Sequence, residues 1–130
     1  MSTPGGLGVS RESYIADVAI SQYAVVVCGT TEGHCKLPAS ARVSKILGVA
    51  QEASTASGDV IEIVTRGRSK VIASAATVIG TPAAINDSVG RAYGPAGFAS
   101  GDGVLGYWRE TASASGDIVV VDVMPHELTR

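Results

Sequence analysis

The side chains with most capacity for chemistry lie in one stretch: Cys28, His34 and Cys35, around the turn-like Gly29-Thr30-Thr31-Glu32-Gly33-His34. A thiol beside an imidazole is the pairing of a nucleophile with its base. Here His34 sits in a Gly-flanked turn and no orienting acid is evident, so it reads as an exposed turn histidine. Two cysteines and one histidine also fall short of the four ligands of a structural zinc site. The thiols are expected to be reduced, with a disulfide across the hairpin and a metal site as the alternatives. Asp59 and Asp117 recur at matching positions, as a carboxylate pair would. Each stands in Ser-Gly-Asp, however, and one turn made twice explains them better.

Glycine motifs add no chemistry. Gly94-Pro95-Ala96-Gly97 and Gly101-Asp102-Gly103 follow no βαβ pattern, and there is no Gly-Lys-Ser/Thr phosphate loop. His126, in Met124-Pro125-His126-Glu127, belongs to a tail. No catalytic residue, cofactor site or metal site is expected, and the chain does not read as an enzyme.

Charge points the same way. Ten basic and twelve acidic side chains give a formal charge of −2, whereas a phosphate-binding protein normally carries a basic excess. The local cluster Arg66, Arg68 and Lys70 reads as a solvated hairpin tip around Gly67, with contact to an acidic protein surface as the second reading. No apolar run approaches the roughly 18 residues that span a bilayer. The opening Met-Ser-Thr-Pro-Gly-Gly lacks the basic segment and apolar core of a secretory signal, so the chain is expected to stay where it is made.

The elements that position these residues are legible through an internal repeat. Residues 46–59 and 104–117 align without a gap, and Leu47, Gly48, Glu52, Ala56, Ser57, Gly58 and Asp59 recur as Leu105, Gly106, Glu110, Ala114, Ser115, Gly116 and Asp117. An aliphatic run follows each copy. Its period-two alternation predicts a strand that buries Ile61 and Ile63, or Val119, Val121 and Val123. Further strands are expected over 24–28, 35–37 and 69–73, with weaker ones at 78–79, 88–89 and 91–93, and single helical turns over 39–43 and 73–76. Val, Ile and Ala dominate among 16 glycines, which favours short strands and tight turns. The expected fold is all-β: a small barrel or sandwich of two similar halves, about 14–73 and 74–123, preceded by an extended N-terminal arm over 1–13. The arm offers only Leu7 and Val9 as sizeable apolar groups, so order there would need a partner's surface or strand edge. Tyr93, Phe98, Tyr107 and Trp108 gather in the second half, as either a local satellite core or an interface anchor.

A Val-rich strand, a Gly turn, Lys36-Leu37-Pro38-Ala39, Ile46-Leu47-Gly48-Val49-Ala50-Gln51-Glu52-Ala53 and Gly58-Asp59-Val60-Ile61-Glu62-Ile63-Val64 follow in order, then a second Val-Leu-Gly and Gly-Asp-Ile-Val-Val-Val. This layout, over 14–123, resembles the capsid cement proteins of tailed bacteriophages. The arm before Tyr14, the cysteine pair and Tyr107-Trp108 depart from it. The resemblance implies a structural head-decoration protein without cofactors. It would bind the outside of an expanded head as a homotrimer, with the major capsid protein as partner and no nucleic acid or membrane. It would be made in the host cytoplasm and end on the virion exterior. On that reading Ser2, Thr3, Leu7, Val9 and Arg11 form a capsid-binding arm, and Tyr93, Phe98, Tyr107 and Trp108 a subunit interface. The alternatives are a ligand-binding or carrier β-barrel and a small hydrolase using Cys28 or Cys35. The carrier reading needs a lysine at a hairpin tip, and Lys70 lacks the flanking Met or Asp such lysines have.

Overall fold

The computed structural model describes residues 9–38, 46–85, 90–94 and 103–127. These form nine strands and, among the described residues, no helix. The strands are β1 (Ser10–Ala16), β2 (Val25–Cys28), β3 (His34–Lys36), β4 (Ile46–Ala50), β5 (Val60–Ile72), β6 (Pro82–Ile85), β7 (Ala92–Tyr93), β8 (Gly103–Trp108) and β9 (Ile118–Glu127).

Pairing runs β1-β3-β2-β4-β5-β9-β8-β6-β7, and β1 also pairs with β5. That last pairing closes β1, β3, β2, β4 and the first part of β5 into a small barrel. A parallel bridge between Ala73 and Ala92 closes the rest of β5 with β9, β8, β6 and β7 in the same manner. The protein is thus all-β, two small barrels built on one shared strand.

The two barrels repeat each other pair by pair. Tyr14 opposite Ile61 and Ile15 opposite Val60 have as counterparts Val71 opposite Val119 and Ile72 opposite Ile118. Val49 opposite Val64 and Ala50 opposite Ile63 recur as Tyr107 opposite Asp122 and Trp108 opposite Val121. The hairpin pairs Val27–Lys36 and Cys28–Cys35 recur as Ala84–Tyr93 and Ile85–Ala92. The duplication therefore extends well beyond the two stretches whose residues match.

Local chemistry explains why both halves keep the same glycines. A Cβ on Gly48 would overlap the Val64 carbonyl oxygen, and one on Gly106 the Asp122 carbonyl oxygen. At these positions two backbones approach more closely than any side chain allows. Gly58 and Gly116 instead provide positive φ (99° and 92°) in the turns that launch β5 and β9. The Asp59 and Asp117 Oδ2 atoms accept hydrogen bonds from the N–H groups of Thr55 and Ala56, and of Ser113 and Ala114. Each turn is tied back by its glycine N–H, which donates to the oxygen of Ala16 or Ala73.

Burial follows the closure. Ala16, Ile20, Ala24, Val26, Cys35, Ala50, Ile61 and Ile63 fill the first barrel. Val25, Val27, Val49 and Val64 point out of it and join the second half's core, with Val71, Ile85, Leu105, Trp108, Val121 and Val123. Strand β2 is buried on both faces, which is why it reads as an unbroken Val-Val-Val run.

The structure corrects three local expectations. Arg66, Gly67 and Arg68 do not form a hairpin tip. Strand β5 runs straight through them, with Gly67 at φ 107° beneath Val9 and a register shift between Ser10 and Arg11 opposite. Residues 78–79 lie in the turn before β6, which begins at Pro82. Residues 73–76 bend without a helical turn. The expected segments 39–43 and 88–89 lie outside the described residues.

Gly48→Ala and Gly106→Ala should each cost about 1–3 kcal/mol in urea unfolding, the usual penalty for forcing atoms into filled space. Val121→Asp, at a fully buried position, should prevent folding outright, seen as loss of the β signal in circular dichroism.

Candidate functional site

The Cys–His stretch becomes a defined site only in three dimensions. Strand β1 runs parallel to β3 with Ile15 opposite His34, so Asp17, just past β1, lies beside the imidazole. His34 Nδ1 is 2.7 Å from Asp17 Oδ1, and both side chains are about one-quarter exposed (25% and 24%). The Asp17 N–H donates to the Cys35 oxygen, and Asp17 Oδ2 accepts from the Thr30 N–H at 3.4 Å. Gly29 is required here, because a Cβ would overlap the Asp17 carboxylate. The bond to His34 holds the Asp17 carboxyl below its ordinary range, against the upward push of burial.

An acid does therefore orient His34, one that lies seventeen residues away in sequence (|i−j| = 17) and escapes sequence reading. It does not complete a nucleophile–base pair. Successive side chains on a strand point to opposite faces, so His34 faces away from Cys35 and from Cys28 directly opposite it. Cys35 is buried, which pushes its thiol up to about 11, and Cys28 is exposed. The Asp17–His34 bond braces the β2–β3 hairpin against β1. No group of three or more His, Cys, Asp or Glu among the described residues is placed to hold a metal ion.

Of the arm residues, Ser2, Thr3 and Leu7 lie outside the described residues. Val9 lies over Gly67 and is 39% exposed. Arg11 stands within β1 opposite Val64, its guanidinium 3.2 Å from Glu62. From Ser10 onward the segment expected as an arm is a strand of the first barrel. Among the aromatics, Phe98 lies outside the described residues and Tyr93 is half-buried in β7. Tyr107 is half-buried and stacks on His126, with ring centroids 6.4 Å apart. Trp108 is fully buried inside the second barrel, at the position Ala50 holds in the first. Its Nε1 has no hydrogen-bond partner among the described residues.

Three surface features were not legible beforehand. Val78 and Ile79 are exposed (63% and 59%) in the turn before β6. Val60 and Ile118 are exposed at the start of β5 and β9. A shallow open groove between the halves is lined by Tyr23, Gln51, Arg68, Ser69, Lys70 and Val120. Lys70 lies within β5 opposite Val120 and not at a hairpin tip, so it lacks the presentation a carrier lysine needs.

Iodoacetamide at pH 8 should alkylate Cys28 alone in the native protein, and both cysteines after denaturation, read by peptide mass. A carboxyl held low in the folded chain stabilises it above the group's ordinary value of 3.8, and that contribution is lost as pH falls through the folded pKa. Asp17→Asn should accordingly flatten the acid side of a melting-temperature-against-pH curve.

No protein-family model matches the chain, and no curated protein does. Among solved structures, the head fiber gp8.5 N base of bacteriophage phi29 superposes with a TM-score of 0.67 at 18% identity. The match covers 95% of this chain and all of that one. The chain has the fold of that phage head fiber base.

Proposed function

We propose that the protein is a non-catalytic component of a tailed-phage head, bound to the outer surface of the shell and stabilising its mature form. The observation that supports this is the end-to-end fold match to a head fiber base. It joins an independent sequence resemblance to cement proteins. The partner is the major capsid protein. Binding only the mature lattice stabilises it by mass action, and repetition over the shell multiplies modest single-site energies.

Residues 2–9 and Arg11 serve as the shell-contacting arm. The β1 edge favours this, since among the described residues β1 pairs with β3 only at Ile15 and Ala16. Its other residues pair on the β5 side, and no described residue pairs along their second edge, where a strand could be added. Deleting 2–8 keeps β1 intact. Occupancy of the truncated chain on purified, expanded shells should fall, with circular dichroism unchanged. Occupancy equal to that of the full chain would remove the arm from the mechanism.

The protein works as a homotrimer. In the first half the turn before β2 places Tyr23 in the groove it lines with Lys70 and Val120 and packs it on the shared core, in which Val25, Val49 and Val64 are buried. The matching turn of the second half carries Val78 and Ile79, exposed, ahead of Pro82, which pairs with Tyr107 as Tyr107 does with Asp122. A unit that joins head to tail within the chain leaves one head and one tail uncovered, and copies of the chain can close them in a ring. Native mass spectrometry should give a trimer, and Ile79→Asp should shift it to monomer while the fold persists. A monomeric unaltered chain would refute this assembly.

A further inference from the structure

Both cysteines of this 130-residue chain fall on one cross-strand pair. Cys28 stands directly opposite Cys35 in the antiparallel β2–β3 hairpin. The Gly29 N–H donates to the His34 oxygen at 2.8 Å, so by the alternation of the ladder Cys28 and Cys35 are a pair without mutual backbone hydrogen bonds. Such pairs bring their Cα atoms to about 4.5 Å and their side chains closer than hydrogen-bonded pairs do. A disulfide needs Cα atoms roughly 4.4–6.8 Å apart, with both Cβ atoms on one face. That face is the barrel side of the hairpin. Val26 and Cys35 both belong to the first core, and Cys28, two residues after Val26, shares their side of the strand.

Packing accounts for only one of the two cysteines. Cys35 is fully buried, a small apolar side chain in the first core. Cys28 is exposed at the end of β2, where a thiol adds no core volume and is open to oxidants. The second half shows that the fold asks for neither. Its matching pair is Ile85 and Ala92, both fully buried, and the same hairpin forms.

The surroundings hold the pair in place and order its reactions. The bond of His34 to Asp17, with the pairing of Ile15 to His34 and Ala16 to Cys35, keeps β3 in this register. Burial, the Asp17 carboxylate and Cys28 hold the Cys35 thiol up at about 11. Cys28 is therefore the thiol that meets an external oxidant first.

We propose that Cys28 and Cys35 are a reversible redox staple at the rim of the first barrel, a dithiol in a reducing compartment and a disulfide outside it. The oxidant is a small-molecule disulfide such as oxidised glutathione. The Cys28 thiolate attacks one of its sulfurs and releases a glutathione thiolate, leaving a mixed disulfide on Cys28. The Cys35 thiol then loses its proton to water and attacks the Cys28 sulfur, releasing the second glutathione thiolate. Two protein thiols are oxidised to one disulfide while one glutathione disulfide is reduced to two thiols. The bond clips the hairpin against which β1 is paired. The staple stands without the capsid reading, which adds only the moment of closure, release from the reducing host cytoplasm.

The test is the reduced, folded full chain incubated with oxidised glutathione. Its intact mass should fall by two hydrogens, and neither cysteine should take iodoacetamide after denaturation. Cleavage after Glu32 should leave the flanking peptides joined until dithiothreitol parts them. The oxidised chain should melt about 5–10 °C above the reduced one, with circular dichroism unchanged. Cys35→Ala, which takes the residue at the matching position of the second half, should stop with one glutathione on Cys28 and no gain in melting temperature. An unaltered chain that also stops there, with Cys35 open to iodoacetamide on denaturation, would overturn the staple. So would a covalent dimer through Cys28, a chain that stays a dithiol, or a disulfide that leaves the melting temperature where it was.

Discussion

Strand β5 is the constraint on which the rest of the molecule depends. A five-stranded barrel of some sixty residues buries too little apolar surface to be comfortably stable alone. The chain meets this by letting one strand serve twice. The first part of β5 pairs with β4 and β1, and its second part pairs with β9. Neither barrel closes without it, so the halves share both a backbone and a core. Gly67, at positive φ, marks the handover, where the β1 ladder ends with a register shift between Ser10 and Arg11 and the β9 ladder begins.

That shared strand also dictates how the halves could diverge. Residues facing into each barrel had to keep a filled interior, and they did so by exchange of volume. Trp108 replaces Ala50, while Ala83 and Thr77 stand where the first half has Val26 and Ile20. Residues facing outward had no such obligation. Val25, Val49 and Val64 bury against the second half, and their counterparts Pro82, Tyr107 and Asp122 are a strand start, an aromatic and a charge. Asp122 lies near Arg68 and Arg109 at 3.5 and 3.3 Å, exposed pairs that keep this face soluble more than they stabilise it.

What the sequence made legible follows from the same physics. The Val-Val-Val run, the alternating Val119, Val121 and Val123, and the doubled Ser-Gly-Asp turn are each dictated within a few residues, so local reading found them. The wider repeat was hidden because its shared positions, such as Ile15-Ala16 with Ile72-Ala73 and Gly33 with Gly90, are sparse among interchangeable small residues. Arg66-Gly67-Arg68 reads as a turn because glycine serves tips and bends alike, and only the pairing with β1 and β9 separates the two. Trp108 gave no sign of its direction, since an aromatic beside an aromatic fits an interface as well as a core. Asp17 and His34 meet only because β1 and β3 run parallel, a pairing no local pattern announces.

A protein that works by adhesion, the function proposed for this chain, leaves little for motif reading, because its chemistry is area and repetition and not a reactive group. A catalytic site betrays itself by strained, buried or oddly titrating side chains. An adhesive surface is made of ordinary exposed residues, individually unremarkable, and scattered apolar ones need no explanation. Duplication changes that. When one chain holds two copies of a unit, each exposed position is a paired observation, and the fold can be subtracted by comparing what the two environments require. Gly48 and Gly106 vanish in that subtraction, because both make room for a carbonyl. Val60 and Ile118 vanish too, because each stands directly opposite an isoleucine, Ile15 or Ile72, on the neighbouring strand. The residues left after the fold has been accounted for are where a partner has to be sought.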